Sequence, residues 1–195
     1  MTNQDDTADS FATLGLPRAA TLDEPSLQRA YTEHSRTVHP DHGGSEGLAA
    51  KVNAAYETLR HPEKRLKHLL ELAGPADARA WRTVPLDEGM MALFSELGKA
   101  MENTSRFLER KTKAASAIAR AVLAGEEMRH RETLEAIGFE IEKRRGEMEA
   151  GLPALDAAIA GDDGSAWKQA AAMQARFAYL ARWQSQVRER LLALM

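Results

Sequence analysis

Residues 36–45 read RTVHPDHGGS, and the fold turns on how this stretch is placed. Pro40 cannot continue a helix, and it pushes His39 out of helical geometry. Gly43 and Gly44 allow a sharp loop directly behind it. Upstream, TLDEPSLQRAYTEHSRTV (21–38) has the marks of a helix start. Asp23 or Glu24 can cap it, Pro25 fits the first turn, and Leu27, Ala30, Tyr31, His34 and Val38 recur at helical spacing. Downstream, Ser45 can cap EGLAAKVNAAYETLR (46–60), with Leu48, Val52, Ala55, Tyr56 and Leu59 on one face. Two helices joined by a loop of about six residues pack antiparallel.

The pattern extends outward in both directions. SFATLGLP (10–17) allows one or two helical turns before Gly15 and Pro17. Pro62 opens a further helix with Leu66, Leu69 and Leu70 facing inward, stopped by Gly74-Pro75. PADARAWRTVPLDEG (75–89) reads as a linker. Beyond it the helical pattern is nearly continuous. Met90, Phe94, Leu97 and Met101 form one stripe, extended by Phe107, Leu108, Ile118 and Val122. Residues 126–150 form a charged amphipathic helix with Leu134, Ile137, Ile141 and Met148. GLPALDAAIAGDDGS (151–165) is a turn region with a short helix. Residues 165–194 form a last helix carrying Trp167, Phe177, Leu180, Trp183, Val187, Leu191 and Leu192. The expected fold is all-α: an antiparallel helix pair flanked by short helices, then a three-helix bundle.

Composition narrows the function. Charged residues make up 28% of the 195 and the net charge is −3, so no phosphate backbone is being neutralised and nucleic acid is not expected. Cysteine is absent, which removes disulfides and thiol nucleophiles. No apolar run suits a membrane span, and the acidic start MTNQDDTADS lacks a signal peptide's features. It reads as a disordered leader over residues 1–9 of a cytoplasmic protein. His39, His42 and Asp41, with His34, could ligate a metal, but they share one glycine-rich loop without a second cluster, so none is expected. No nucleophile with a matching base stands out, so neither catalysis nor a cofactor is expected.

The context around His39-Pro40-Asp41 is distinctive. Ala30-Tyr31 on the preceding helix and NAAYETL (53–59) on the following one resemble the J domain of the DnaJ co-chaperones. VNAAYETLRHPEKRLKHLLELAG (52–74) and GSAWKQAAAMQARFAYLARWQSQVRERLLALM (164–195) resemble the HscB branch, the J-type co-chaperones of iron–sulfur cluster assembly. The resemblance implies a J domain over 10–75, a linker over 76–86 and a client-binding helical bundle over 87–195.

It also implies a mechanism. The His39-Pro40-Asp41 loop would dock on a chaperone of the HscA/DnaK type and stimulate its ATPase, with Arg29 and Arg36 steering the approach. Asp41 would pair with a partner arginine, and Pro40 would aim it. Gln28, Thr32 and Glu33 stand where generalist J domains are often basic. The bundle would bind an IscU-type scaffold through Met90, Met91, Phe94 and Phe177. Ala92, Ser95 and Gly98 stand where that family often carries glutamates. The alternative is a J-domain adaptor for a different client. The spacing alone leaves Met90 and Phe94 open between core and contact surface, while Met91 lies off their stripe.

Overall fold

A computed structural model describes residues 8–38, 45–79, 84 and 86–195, with Arg120 described for its backbone alone. His39, Pro40 and Asp41, residues 1–7 of the expected leader, and 80–83 and 85 of the expected linker lie outside the described residues. Among the described residues the regular elements are all helices. They are α1 (Ser10–Thr13), α2 (Glu24–Val38), α3 (Glu46–Leu59), α4 (Pro62–Ala73), α5 (Ala76–Arg79), α6 (Glu88–Lys113), α7 (Ala117–Glu149), α8 (Leu152–Ala160) and α9 (Ala166–Leu194).

The contacts divide the chain into two units, 1–82 with 149–177, and 83–148 with 178–195. This is a different division from a single bundle beginning at residue 87. Polar contacts explain it. Asp156 on α8 accepts from the Ala20 and Thr21 N–H groups at 2.6 and 2.8 Å. Gln174 on α9 donates to the Glu63 carbonyl at 3.4 Å. The expected linker also carries structure, since α5 buries Ala78.

In the first unit α2 and α3 run antiparallel. Tyr31 donates to Asn53 Oδ1 at 2.9 Å and Tyr56 donates to Gln28 Oε1 at 2.7 Å, so position along one helix falls as the other rises. The two tyrosine rings stack with centroids 4.3 Å apart. Ser45 caps α3 as expected, accepting from the Leu48 N–H. Leu48 itself is nearly half exposed, so the buried face of α3 is Val52, Ala55 and Leu59.

Asp9 caps α1, accepting from the Phe11 and Ala12 N–H groups, and pairs with Arg18. It therefore belongs to the fold rather than to a leader. Burial pushes its carboxyl up, but Arg18 and the two N–H groups outweigh that and hold it below the usual range. Gly15 then turns the chain at φ +63°, a conformation that favours glycine.

In the second unit α6 buries Met90, Leu93, Leu97, Ala100, Thr104 and Phe107. These meet Leu134, Ile137 and Ile141 of α7, and Leu180, Trp183, Val187 and Leu194 of α9. Leu93, not Phe94, carries the buried stripe. Ile118 and Val122 are 79% and 76% exposed, because α6 ends at Lys113 and α7 restarts at Ala117 with a new phase. Thr104, 1% exposed, places its hydroxyl 3.3 Å from His130 Nδ1. Lys111 caps the far end of α9 by donating to the Leu194 carbonyl at 2.9 Å.

Candidate functional site

Two surfaces hold part of the expected functional set: Arg29 and Arg36 on one, Met91 and Phe94 on the other. The first is the outer face of α2. Asp23 accepts from the Ser26 N–H and hydroxyl, which fixes the helix start. Ser26 in turn accepts from Arg29 at 2.9 Å. Arg29 and Arg36 are both exposed, and Arg36 forms no salt bridge with another described residue. Two turns separate them, so both cations lie along one side of the helix that leads to the His39-Pro40-Asp41 segment. Gln28 has a structural task, as the acceptor for Tyr56, which accounts for a neutral side chain there. Of the two helices that flank this segment in sequence, α3 is set by α4. Arg65, 5% exposed, donates from Nη1 to the Leu59 carbonyl at 2.6 Å and from Nε to the Ala20 carbonyl at 2.8 Å.

The second surface lies on the second unit. Met91 and Phe94 are each 52% exposed. They border a hollow of about 420 Å³ whose other wall is α9, with Tyr179, Trp183 and Arg182. The Phe94 and Trp183 rings lie 5.8 Å apart, and Tyr179 lies 6.1 Å from Trp183. Trp183 is 3% exposed and Tyr179 40%, so one forms a floor and the other a rim. Along the same seam a second hollow of about 380 Å³ is lined by Met101, Gln186, Glu189 and Arg190. Gln186 borders both. Gly98 falls between Phe94 and Met101 on this side of α6, and a Cβ there would meet nothing within 4 Å. The two hollows thus follow one seam, open at Gly98.

The four residues expected to form this patch part ways. Met91 and Phe94 are on it. Met90 is 3% exposed and packs in the core of the second unit. Phe177 is 1% exposed and packs in the first unit. The physical reason is helical phase. Met90 is in register with Leu93 and Leu97, which leaves Met91 and Phe94 turned out. Tyr179, Arg182 and the floor role of Trp183 were not foreseen. The available signal was Tyr179 standing four residues before Trp183, on the flank of the buried α9 stripe. Among the described residues no group of three or more His, Asp or Glu could hold a metal, and no helix is long and apolar enough to cross a membrane.

Known proteins resemble the chain in its N-terminal sequence and in its fold. Residues 9–68 match the DnaJ domain family. The co-chaperone protein HscB homolog of Aromatoleum aromaticum is 40% identical over 75 residues, 34% of this chain and 42% of that protein. The homolog of Chromobacterium violaceum is 35% identical over 81 residues, 37% of this chain and 46% of that protein. The chain thus spans less than half the length of these curated relatives. In fold, the chaperone HscB from Vibrio cholerae matches with a TM-score of 0.57 at 22% identity, over 96% of this chain and 99% of that one. The human co-chaperone protein HscB matches with a TM-score of 0.52 at 20% identity, over 95% and 83%. Residues 9–68 thus carry the sequence of a DnaJ domain, and the chain as a whole has the all-helical fold seen in HscB structures.

Proposed function

We propose that this protein is a co-chaperone of iron–sulfur cluster assembly. Its His39-Pro40-Asp41 segment engages a chaperone of the HscA/DnaK type and stimulates that partner's ATPase. The hydrolysis is the partner's, and this chain is a regulator rather than an enzyme, working in the cytoplasm. The observation that carries the reading is the DnaJ-domain match over residues 9–68, which includes the triplet between the helices that aim it. Asp41 presents a carboxylate to a partner arginine, a charge-assisted pair stronger than a neutral hydrogen bond. Arg29 and Arg36 add steering rather than depth of affinity, since exposed charges raise the on-rate more than they lower the off-rate.

The α6/α9 seam of the second unit receives the client, an IscU-type scaffold protein. An aromatic floor with methionine at the rim gives an adaptable apolar contact. The test is a single-turnover ATPase assay on an HscA-type chaperone, with the scaffold added or omitted. Wild type is expected to raise the rate, and Asp41→Asn is expected to remove at least nine-tenths of that rise while leaving the chain's melting curve unchanged. An Asp41→Asn variant that stimulates like wild type would refute the assignment of the loop.

One observation favours a different client on the same seam. The larger hollow is lined by Arg182 and by no carboxylate, and Arg182 forms no salt bridge with another described residue. A client presenting an acidic group beside an apolar anchor would suit it better than a basic one. Arg182→Glu would weaken binding of an acidic client and strengthen that of a basic scaffold.

A further inference from the structure

The first unit holds a cavity that the co-chaperone reading does not use. It measures about 410 Å³ and lies among α1, α3 and α4. Its inner wall includes Ser10, Ala55 and His68, and its outer wall carries Lys51, Lys64 and Lys67. Against three ammonium groups stand two carboxylates, Glu71, which pairs with Lys67 at 3.7 Å, and Asp9, which lies 3.9 Å from His68 Nε2 and is paired with Arg18 at 2.8 Å. Lys51 and Lys64 form no salt bridge with another described residue. Three cations gathered at a concavity repel one another, and the chain as a whole carries a net charge of −3. Low-dielectric walls focus such a field inward and raise the local concentration of anions.

The inner wall adds a directed donor. His68 is 5% exposed and lines the cavity. The Ser10 N–H donates to His68 Nε2 at 3.0 Å, so Nε2 holds a lone pair and the ring's proton is on Nδ1. Phe11 stacks on the ring with centroids 5.8 Å apart and fixes its plane. Among the described residues nothing accepts from Nδ1. The cavity therefore combines three ammonium groups with the imidazole N–H of His68 and the hydroxyl group of Thr58 at its edge.

We infer that this cavity is a binding site for a small, multiply charged phosphate anion. Three point charges suit a phosphate chain better than a single carboxylate, because each ammonium can take a separate oxygen. The depth of His68 sets the size. A group that meets a ring 5% exposed must enter the cavity, which selects a free phosphate chain over a side chain on a folded partner. The site is independent of the chaperone-docking triplet, so its occupancy is read without a partner.

The test is titration calorimetry on the full chain at pH 7.5 with inorganic pyrophosphate in one arm and metal-free ATP in the other. Saturable one-to-one binding is expected in both arms, weakening as salt rises. Equal affinity assigns the site to the phosphate chain alone, and tighter ATP assigns it to a nucleotide. The Lys51→Gln/Lys64→Gln double variant is expected to bind at least tenfold more weakly. Lys113→Gln, which removes a charge on α6, is expected to bind as wild type. In nitrogen-15 spectra the His68 imidazole signals should shift on titration while those of His130 stay fixed. Absence of saturable binding in both arms, or equal weakening by Lys113→Gln, overturns the site.

Discussion

The two units close their cores by different means. In the first, irregular backbone is held by buried and half-buried polar side chains. Arg65 takes the Ala20 and Leu59 carbonyls, Asp156 takes the Ala20 and Thr21 N–H groups, and His68 takes the Ser10 N–H. In the second, long helices satisfy their own backbones, and the core is almost wholly apolar, with the Thr104–His130 contact as its polar exception. Short helices joined by irregular connections leave backbone groups to be paired, and hydrogen-bonding side chains do that in a buried setting. A unit that presents a seam needs straight rods, and hydrocarbon packing provides them.

The sharpest way to break the comparison is to remove one anchor from each side. Phe107→Ala opens a cavity at a fully buried site on α6, and such truncations cost about 3–5 kcal/mol. Arg65→Met keeps apolar volume but strands two carbonyls, at about 1–3 kcal/mol each. Chemical denaturation should show both losses, at comparable size. Hydrogen exchange should separate them: Phe107→Ala loosens α6 and α7, and Arg65→Met loosens residues 16–23 and the α3–α4 corner. Arg65→Met behaving as a neutral substitution would mean that the polar anchors of the first unit are ornamental.

The comparison also predicts which unit feels mild acid. Burial lowers the His68 pKa below its ordinary 6.5; Asp9 and Glu71 pull it up, and Arg18 adds to the lowering. With a folded pKa below the unfolded one, the folded state binds fewer protons as pH falls. The stabilisation is therefore complete above about 6.5 and is lost as pH drops through the folded pKa. Protonation also removes the lone pair that receives the Ser10 N–H, which frees α1. Lowering pH from 7 to 5 should reduce the melting temperature of wild type more than that of His68→Gln, whose amide oxygen can accept the same N–H without titrating. Asp9 enters only lower, because its carboxyl is held below 3.8 and its stabilisation is lost as pH falls through that lowered value. Parallel pH profiles for the two proteins would remove His68 from the account.

Much of this was legible in the residues. The α2 start at Asp23 to Pro25, the Ser45 cap and the Pro62 entry to α4 are local events, set within one turn by side chains that satisfy free N–H groups. The helical fold and the J-domain resemblance followed from them. What escaped was set by distant groups. Nothing near Asp156 in the chain says that it will take the N–H groups of Ala20 and Thr21, so the assignment of 149–177 to the first unit was out of reach. Helical phase was the other gap. Met90 and Phe94 both fit a stripe at spacing four, and only the partner helices decide that Leu93 takes the buried position and Phe94 faces the seam.

Gly98 offers the smallest effect and the cleanest separation of fold from function. It lies inside α6, where glycine costs about 0.8–1 kcal/mol relative to alanine. A Cβ there touches nothing within 4 Å, so Gly98→Ala should stabilise the second unit by about that amount in denaturant melts. Alanine leaves the seam between Phe94 and Met101 open, and binding of the proposed client should be unchanged. Gly98→Trp fills the same opening with an indole. It should leave the melting curve within about 0.5 kcal/mol of wild type, as exposed substitutions usually do, while reducing client affinity at least tenfold. If the tryptophan variant binds its client like wild type, the opening at Gly98 has no part in recognition, and the contact is confined to the hollow bordered by Met91 and Phe94.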